Sequence, residues 1–210
     1  VSLTNQTIDR PTIANMSLLK LGHPQISGAI DPETRTGSIL DRVWYLTAAK
    51  CFGLHDWPMC RRTSKLNRHA ESPDNGWRYQ FDLSGDRLGP PLKVLRQAGS
   101  CPVPMRDYAF EGQSLFANEP DCWTVDKVDP DPSIWDPAFV AAFSVAYASG
   151  LAVPLQQDVD MKFELHVEAF GTRQEKFTGG MFGRLITLQR TSEPVDSPYT
   201  KSNPFTDVRF

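Results

Sequence analysis

The sequence predicts an α+β protein: a four-helix bundle with an inserted small antiparallel β module and an extended C-terminal arm. Three observations carry this expectation. Apolar residues recur at helical spacing toward both ends of the chain, they switch to strict alternation in the middle, and prolines punctuate the segment beyond Thr191 too closely for a helix. The expected organisation is a leading helical segment at 1–58, a β-rich insertion at 59–132, a second helical segment at 133–178 completing the bundle, and an arm at 179–210.

The first helix is expected in "PTIANMSLLKLGHP", where Ile13, Met16 and Leu19 share a face, Gly22 fits a C-terminal cap and Pro24 blocks continuation. The second runs through "DPETRTGSILDRVWYLTAAKCFGLHDWP". Asp31 reads as its N-cap, Pro32 as its first residue and Glu33 as a dipole partner, with Leu40, Val43, Trp44, Thr47, Cys51 and Leu54 at helical spacing. Gly37 is a weak spot near its start. The period then changes. "WRYQFDL" alternates apolar and polar residues, "LKVLRQ" reads as a second strand, "DYAFEGQSLFANEP" as a hairpin turning at Glu111-Gly112-Gln113, and "CWTVDKV" as a further strand with Trp123 and Val125 on one face.

Helical spacing resumes at Asp136-Pro137, an N-cap followed by a first-turn proline. No charged residue occurs between Asp136 and Asp158. This run is shorter than the roughly 20 apolar residues that cross a bilayer, it has no basic flank, and Pro154 ends or kinks it. Its alanines, with Ser149 and Gly150, make a thin helix suited to a bundle interior or a subunit contact, and Ala146 and Gly150 are the positions singled out for such a contact. A fourth helix from Gln156 carries Val159, Phe163, His166 and Phe170 as its apolar stripe, with Phe177 beyond, until Gly179-Gly180 breaks the pattern. The tail holds Tyr199, Phe205 and Phe210, whose spacing reads as an arm that docks on a further surface, with a disordered end as the alternative.

Composition sets further bounds. The chain has 210 residues, 40% hydrophobic and 22% charged, enough for a substantial core. A net charge of -3 gives no electrostatic reason for tight nonspecific DNA binding. The residues from Val1 show no signal-peptide pattern, so none is expected in this sequence, although one already removed would leave no trace. Cys51, Cys60, Cys101 and Cys122 lack C-x-x-C spacing, and a chain of this size needs no disulfide, so buried thiols are expected.

Sites are harder to find. No G-x-S-x-G, H-E-x-x-H, P-loop or dinucleotide glycine fingerprint occurs, and no cofactor or metal is expected. His166 and Glu168, two apart on a helix, face different ways. Asp31 with Glu33, and Asp129, Asp131 and Asp136, invite comparison with the carboxylate pairs of glycoside hydrolases. Helix starts and turns explain them more simply. "CRRTSKLNRH" gathers Arg61, Arg62, Lys65 and Arg68, a possible patch for nucleic acid or an acidic surface, but no aromatic residue interrupts it to stack a base.

Four segments, in order and spacing, resemble one family. "IANMSLLKLG" matches an N-x-x-L-x-x-L-G first helix, "HDWPMCRR" a histidine- and tryptophan-containing exit from the second, "FEGQSLFANEP" an E-G-x-x-L hairpin, and "WDPAFVAAFSVAYASGLAVPLQQD" a D-P-x-F segment running into A-x-P-L. The chain thus resembles the head-to-tail adaptors of short-tailed bacteriophages, also called tail tubular protein A or head completion proteins, over about residues 12–158. It departs at "MCRR", at the glycine pair 179–180 and in the tail. The resemblance implies a structural, non-enzymatic virion protein at the head–tail junction, present in the host cytoplasm during assembly. It implies a homo-oligomeric ring, commonly a dodecamer, between the portal and the tail tube or nozzle. DNA passes transiently through its lumen, and no membrane is a partner. Cell-wall hydrolase activity in some relatives keeps an enzymatic reading beside it, as the basic cluster keeps a nucleic-acid-binding one.

Overall fold

The computed structural model describes residues 8–99, 102–175 and 179–192. They hold five α-helices and two four-stranded antiparallel sheets, which corrects the expectation of a four-helix bundle with a small β insert. The protein is mixed α and β with a strand-rich middle. Within the described residues, 8–55 with 130–192 form one compact unit and 56–129 a second.

The helical unit is built around α3 (Pro137–Leu151), which touches α1 (Arg10–Lys20), α2 (Arg35–Gly53), α4 (Val159–Phe170) and α5 (Gly180–Ser192). Eleven of the fifteen residues of α3 are buried, so it has no polar face to give to water. The stretch Pro137–Gln156 is long and apolar enough by composition to cross a membrane, yet 67% of its 18-residue apolar window lies buried inside this fold. Aromatic rings fill the space around it. Trp44 and Phe52 of α2 pack on Trp135, Phe139, Phe143 and Tyr147, and Phe182 of α5 stacks on Phe170 at 5.3 Å between centroids.

Several buried polar groups in this core find partners that offset their desolvation. Tyr147 donates to the Leu40 carbonyl at 2.6 Å, Ser17 to the Ser144 carbonyl at 2.9 Å, and the Trp135 indole to the Pro130 carbonyl at 3.1 Å. Asn15 clamps the loop after α1, donating to the Ile26 carbonyl and accepting from the Ile26 amide.

Helix boundaries differ instructively from expectation. Thr34, not Asp31, caps α2, its hydroxyl accepting from the Gly37 amide. Asp31 closes the turn before it, where its carbonyl occupies the space a Cβ on Gly37 would need, 1.8 Å away. After α3 the chain makes a π-helical turn, Ala152–Gln156, around Pro154, then Asp158 caps α4. The glycine pair 179–180 ends nothing. Gly180 (φ 62°) sits against the Glu168 carbonyl, and α5 follows in the stretch expected to be an arm.

In the second unit the strands are β1 (Arg61–Lys65), β2 (Asn67–Arg68), β3 (Tyr79–Asp82), β4 (Lys93–Gln97), β5 (Val103–Pro104), β6 (Tyr108–Glu111), β7 (Ser114–Ala117) and β8 (Trp123–Lys127). One sheet has the order β1-β8-β4-β5, the other β2-β3-β7-β6. Leu66, Phe81, Leu83, Val94, Met105, Leu115, Ala117 and Cys122 form this unit's own core. The β6–β7 hairpin turns at Gly112, whose φ of 60° suits a residue without a Cβ.

Two features hid the extent of these sheets. β1 is the basic run RRTSK, with no apolar alternation, and β2 and β5 are only two residues long. On β8, moreover, the buried residues are Thr124 and Asp126, while Trp123 and Val125 turn outward. The Asp126 carboxylate accepts from Thr124 at 2.7 Å, so that a polar pair occupies positions where the core is usually apolar.

Candidate functional site

The residues singled out from sequence fall in several places. Ala146 is buried in α3. Gly150 packs within the chain: a Cβ there would meet Val43 Cγ1 at 2.7 Å, so α2 accounts for its small size. Tyr199, Phe205 and Phe210 lie outside the described residues, as do Cys101 and Phe177.

Strand pairing separates the four cations of the basic cluster. Arg61 pairs with Asp56 at 2.9 Å, and Lys65 with Asp121 at 2.6 Å. Arg62 lies on the other face of β1, gripping Asp86 and the Ser84 hydroxyl. The hydrogen bonds from Arg62, then from Ser84, hold the Asp86 carboxyl well below the ordinary carboxylate range. Arg68 belongs to the second sheet, where its guanidinium lies 5.1 Å from the centre of the Tyr79 ring.

The acidic candidates occupy turns and caps. Asp31 accepts from the Glu33 amide at 2.9 Å, Asp131 from the Ser133 amide at 2.9 Å, and Asp136 from the Ala138 amide at 2.7 Å. Among the described residues no group of three or more histidines, cysteines or carboxylates could hold a metal ion. Cys51, Cys60 and Cys122 are buried thiols, and burial pushes Cys60 and Cys122 up to about 12 and Cys51 higher still.

The sequence reading missed the outer seam of the helical unit. α2 runs antiparallel to α3, since Trp44 meets Tyr147 while Phe52 meets Phe139. α4 folds back on α3, with Ser149 donating to the Lys162 carbonyl at 3.1 Å. The two flanking helices therefore run parallel, and Lys50 joins them, 2.9 Å from His166 Nε2 and 3.6 Å from the Phe170 ring centre. Burial lowers the pKa of Lys50, and it lowers that of His166 with help from the neighbouring Lys50 and Lys162 charges.

One turn back from this contact stand Leu46 on α2 and Phe163 on α4, 74% and 63% exposed. Val159 and Val167 extend the same row of α4 and are also exposed. This corrects the expected stripe, of which only the Phe170 end is buried. The apolar spacing on α4 was visible in the sequence, but it marks a face turned toward solvent.

Fold and surfaces define a class: a two-unit protein of mixed α and β structure whose distinctive side chains line helix and sheet faces. No protein-family model matches the chain, and no curated protein matches it.

Proposed function

We propose that this protein is a ring-forming structural adaptor of a short-tailed phage virion, joining the portal to the tail tube or nozzle and letting DNA pass through its lumen. One observation carries the proposal beyond the order and spacing of the motifs: the exposed apolar row Val159, Phe163 and Val167 on α4, with Leu46 on α2. Large apolar side chains at successive turns of one helix are what a subunit contact buries. Self-association through this row leaves the β-rich unit of each subunit for the portal or the tail.

Light scattering and native mass measurement, alone and with purified portal, test the reading. The expected result is a closed ring, at least when portal is present. A Leu46→Asp/Phe163→Asp variant should keep its circular dichroism and lose assembly. A wild-type chain that stays monomeric with and without portal would sink the proposal. A ring indifferent to the double variant would move the contact elsewhere.

A further inference from the structure

The pairing of β1, β8 and β4 assembles a surface absent from the linear sequence. β8 lies between the other two, with Arg61 opposite Lys127, Thr63 opposite Val125 opposite Lys93, and Lys65 opposite Trp123 opposite Leu95. Cross-strand partners and residues two apart project from the same face of a sheet. These side chains therefore share one face, on which Leu95 is buried and the others are half-buried or exposed, and Thr124, Asp126 and Val94 occupy the opposite, buried one. Four cations, Arg61, Lys65, Lys93 and Lys127, surround the half-buried Trp123 and Val125. Lys65 Nζ lies 5.1 Å from the Trp123 ring centre. Beside them a cavity of ≈ 180 Å³ opens among Asp56, Arg61, Thr63, Lys93, Leu95 and Val125.

We infer that this face binds single-stranded nucleic acid, with phosphates on the cations and a base stacked on Trp123. A basic sheet with an aromatic platform is the arrangement that recognises unpaired strands. Asp56, which lines the cavity, and Asp121 pair with Arg61 and Lys65 in partly exposed ion pairs that contribute little, so phosphate must displace a carboxylate at each. A duplex offers the cations its phosphates but keeps its bases stacked inside, leaving Trp123 without a partner. The site differs from the linear basic cluster. It excludes Arg62, held by Asp86 on the opposite face, and Arg68, on the other sheet, and it gains Lys93, Lys127 and Trp123. It needs one sheet of one chain and no ring, so it stands or falls apart from the adaptor reading.

Fluorescence anisotropy with labelled oligothymidylate, a duplex of equal length and a polyglutamate competitor tests it on the full chain. Oligothymidylate should bind with a log affinity falling against log salt at a slope of about -3, for four neutralised phosphates. Lys65→Glu/Lys93→Glu should weaken binding more than tenfold. Trp123→Ala should weaken it about tenfold and Trp123→Phe less, with Arg68→Ala unchanged and circular dichroism retained throughout. Failure to bind at low salt overturns the inference. So does equal binding by the charge variants, or duplex binding as tight as oligothymidylate with no dependence on Trp123. Displacement by polyglutamate as effective as by unlabelled oligothymidylate would reassign the face to an acidic polypeptide.

Discussion

Three positions show how single residues constrain this chain. A Cβ on Gly150 would press Val43 Cγ1 at 2.7 Å, so the Val43 side chain or the helices must shift to admit it. Gly150→Leu should cost roughly 1–3 kcal/mol or more, the usual penalty of overpacking, read as a lowered urea midpoint. Gly37→Ala should be worse, because its Cβ would meet the Asp31 carbonyl itself, a backbone atom fixed by the turn that feeds Thr34 into its cap. An unchanged midpoint for Gly37→Ala would mean that the turn before α2 relaxes freely. Asn15→Ala removes both hydrogen bonds to Ile26 and should cost about 1–3 kcal/mol, since a half-buried amide and carbonyl lose their partners together. These roles were only partly legible in sequence. Gly37 stood out as a poor helix residue, but the carbonyl that requires it comes from a turn six residues earlier. The Asp31-Pro32-Glu33 run looked like a helix start. In the structure those residues shape a turn, and the Thr34 hydroxyl does the capping.

At the scale of an element, α4 separates two kinds of apolar residue that sequence cannot tell apart. Phe163 and Phe170 are seven residues apart and nearly in line on the helix. Phe170 is buried against Phe182 and under Lys50, while Phe163 faces out. Phe170→Ala should therefore cost about 3–5 kcal/mol in the folded monomer. Phe163→Ala should change monomer stability by about 0.5 kcal/mol or less, as exposed substitutions do, and act on assembly instead. Thermal melts in dilute solution distinguish the two, and equal losses would contradict the assignment of faces. β8 teaches the same lesson. Its alternation was readable, but the buried set is Thr124 and Asp126 because β1 and β4 present their inward residues on that side.

At the scale of the whole molecule, both units keep buried thiols, Cys51 in the helical unit and Cys60 and Cys122 in the β-rich one. Their pKa values are raised by burial, to about 12 for Cys60 and Cys122, whereas thiols of the unfolded chain ionise near about 8.5–9. Between these limits the folded chain holds protons that the unfolded chain releases. The stabilisation is thus complete below about pH 8.5 and is lost as pH rises toward 12. Urea midpoints should fall steadily above about pH 9, and less steeply in a Cys60→Ala/Cys122→Ala variant. With Cys101 replaced by serine, a thiol reagent at neutral pH should label the chain slowly until it unfolds. Rapid labelling of the native chain would contradict the burial.

The sequence alone determined the elements whose signals are local. α3 follows from a capping aspartate, a first-turn proline and an uninterrupted apolar run, and the β6–β7 hairpin from a glycine free to take a positive φ. Tertiary structure decided which way each element faces and which distant residues meet. Periodicity shows that a helix or strand has two faces, but only its neighbours determine which face is buried. So the Phe163–Phe170 face of α4 is covered at its C-terminal end, where Phe182 and Lys50 meet Phe170, and left open at Phe163. Trp123 joins Lys65 and Lys93 because strand pairing brings together residues far apart in the chain, a relation that no local pattern encodes.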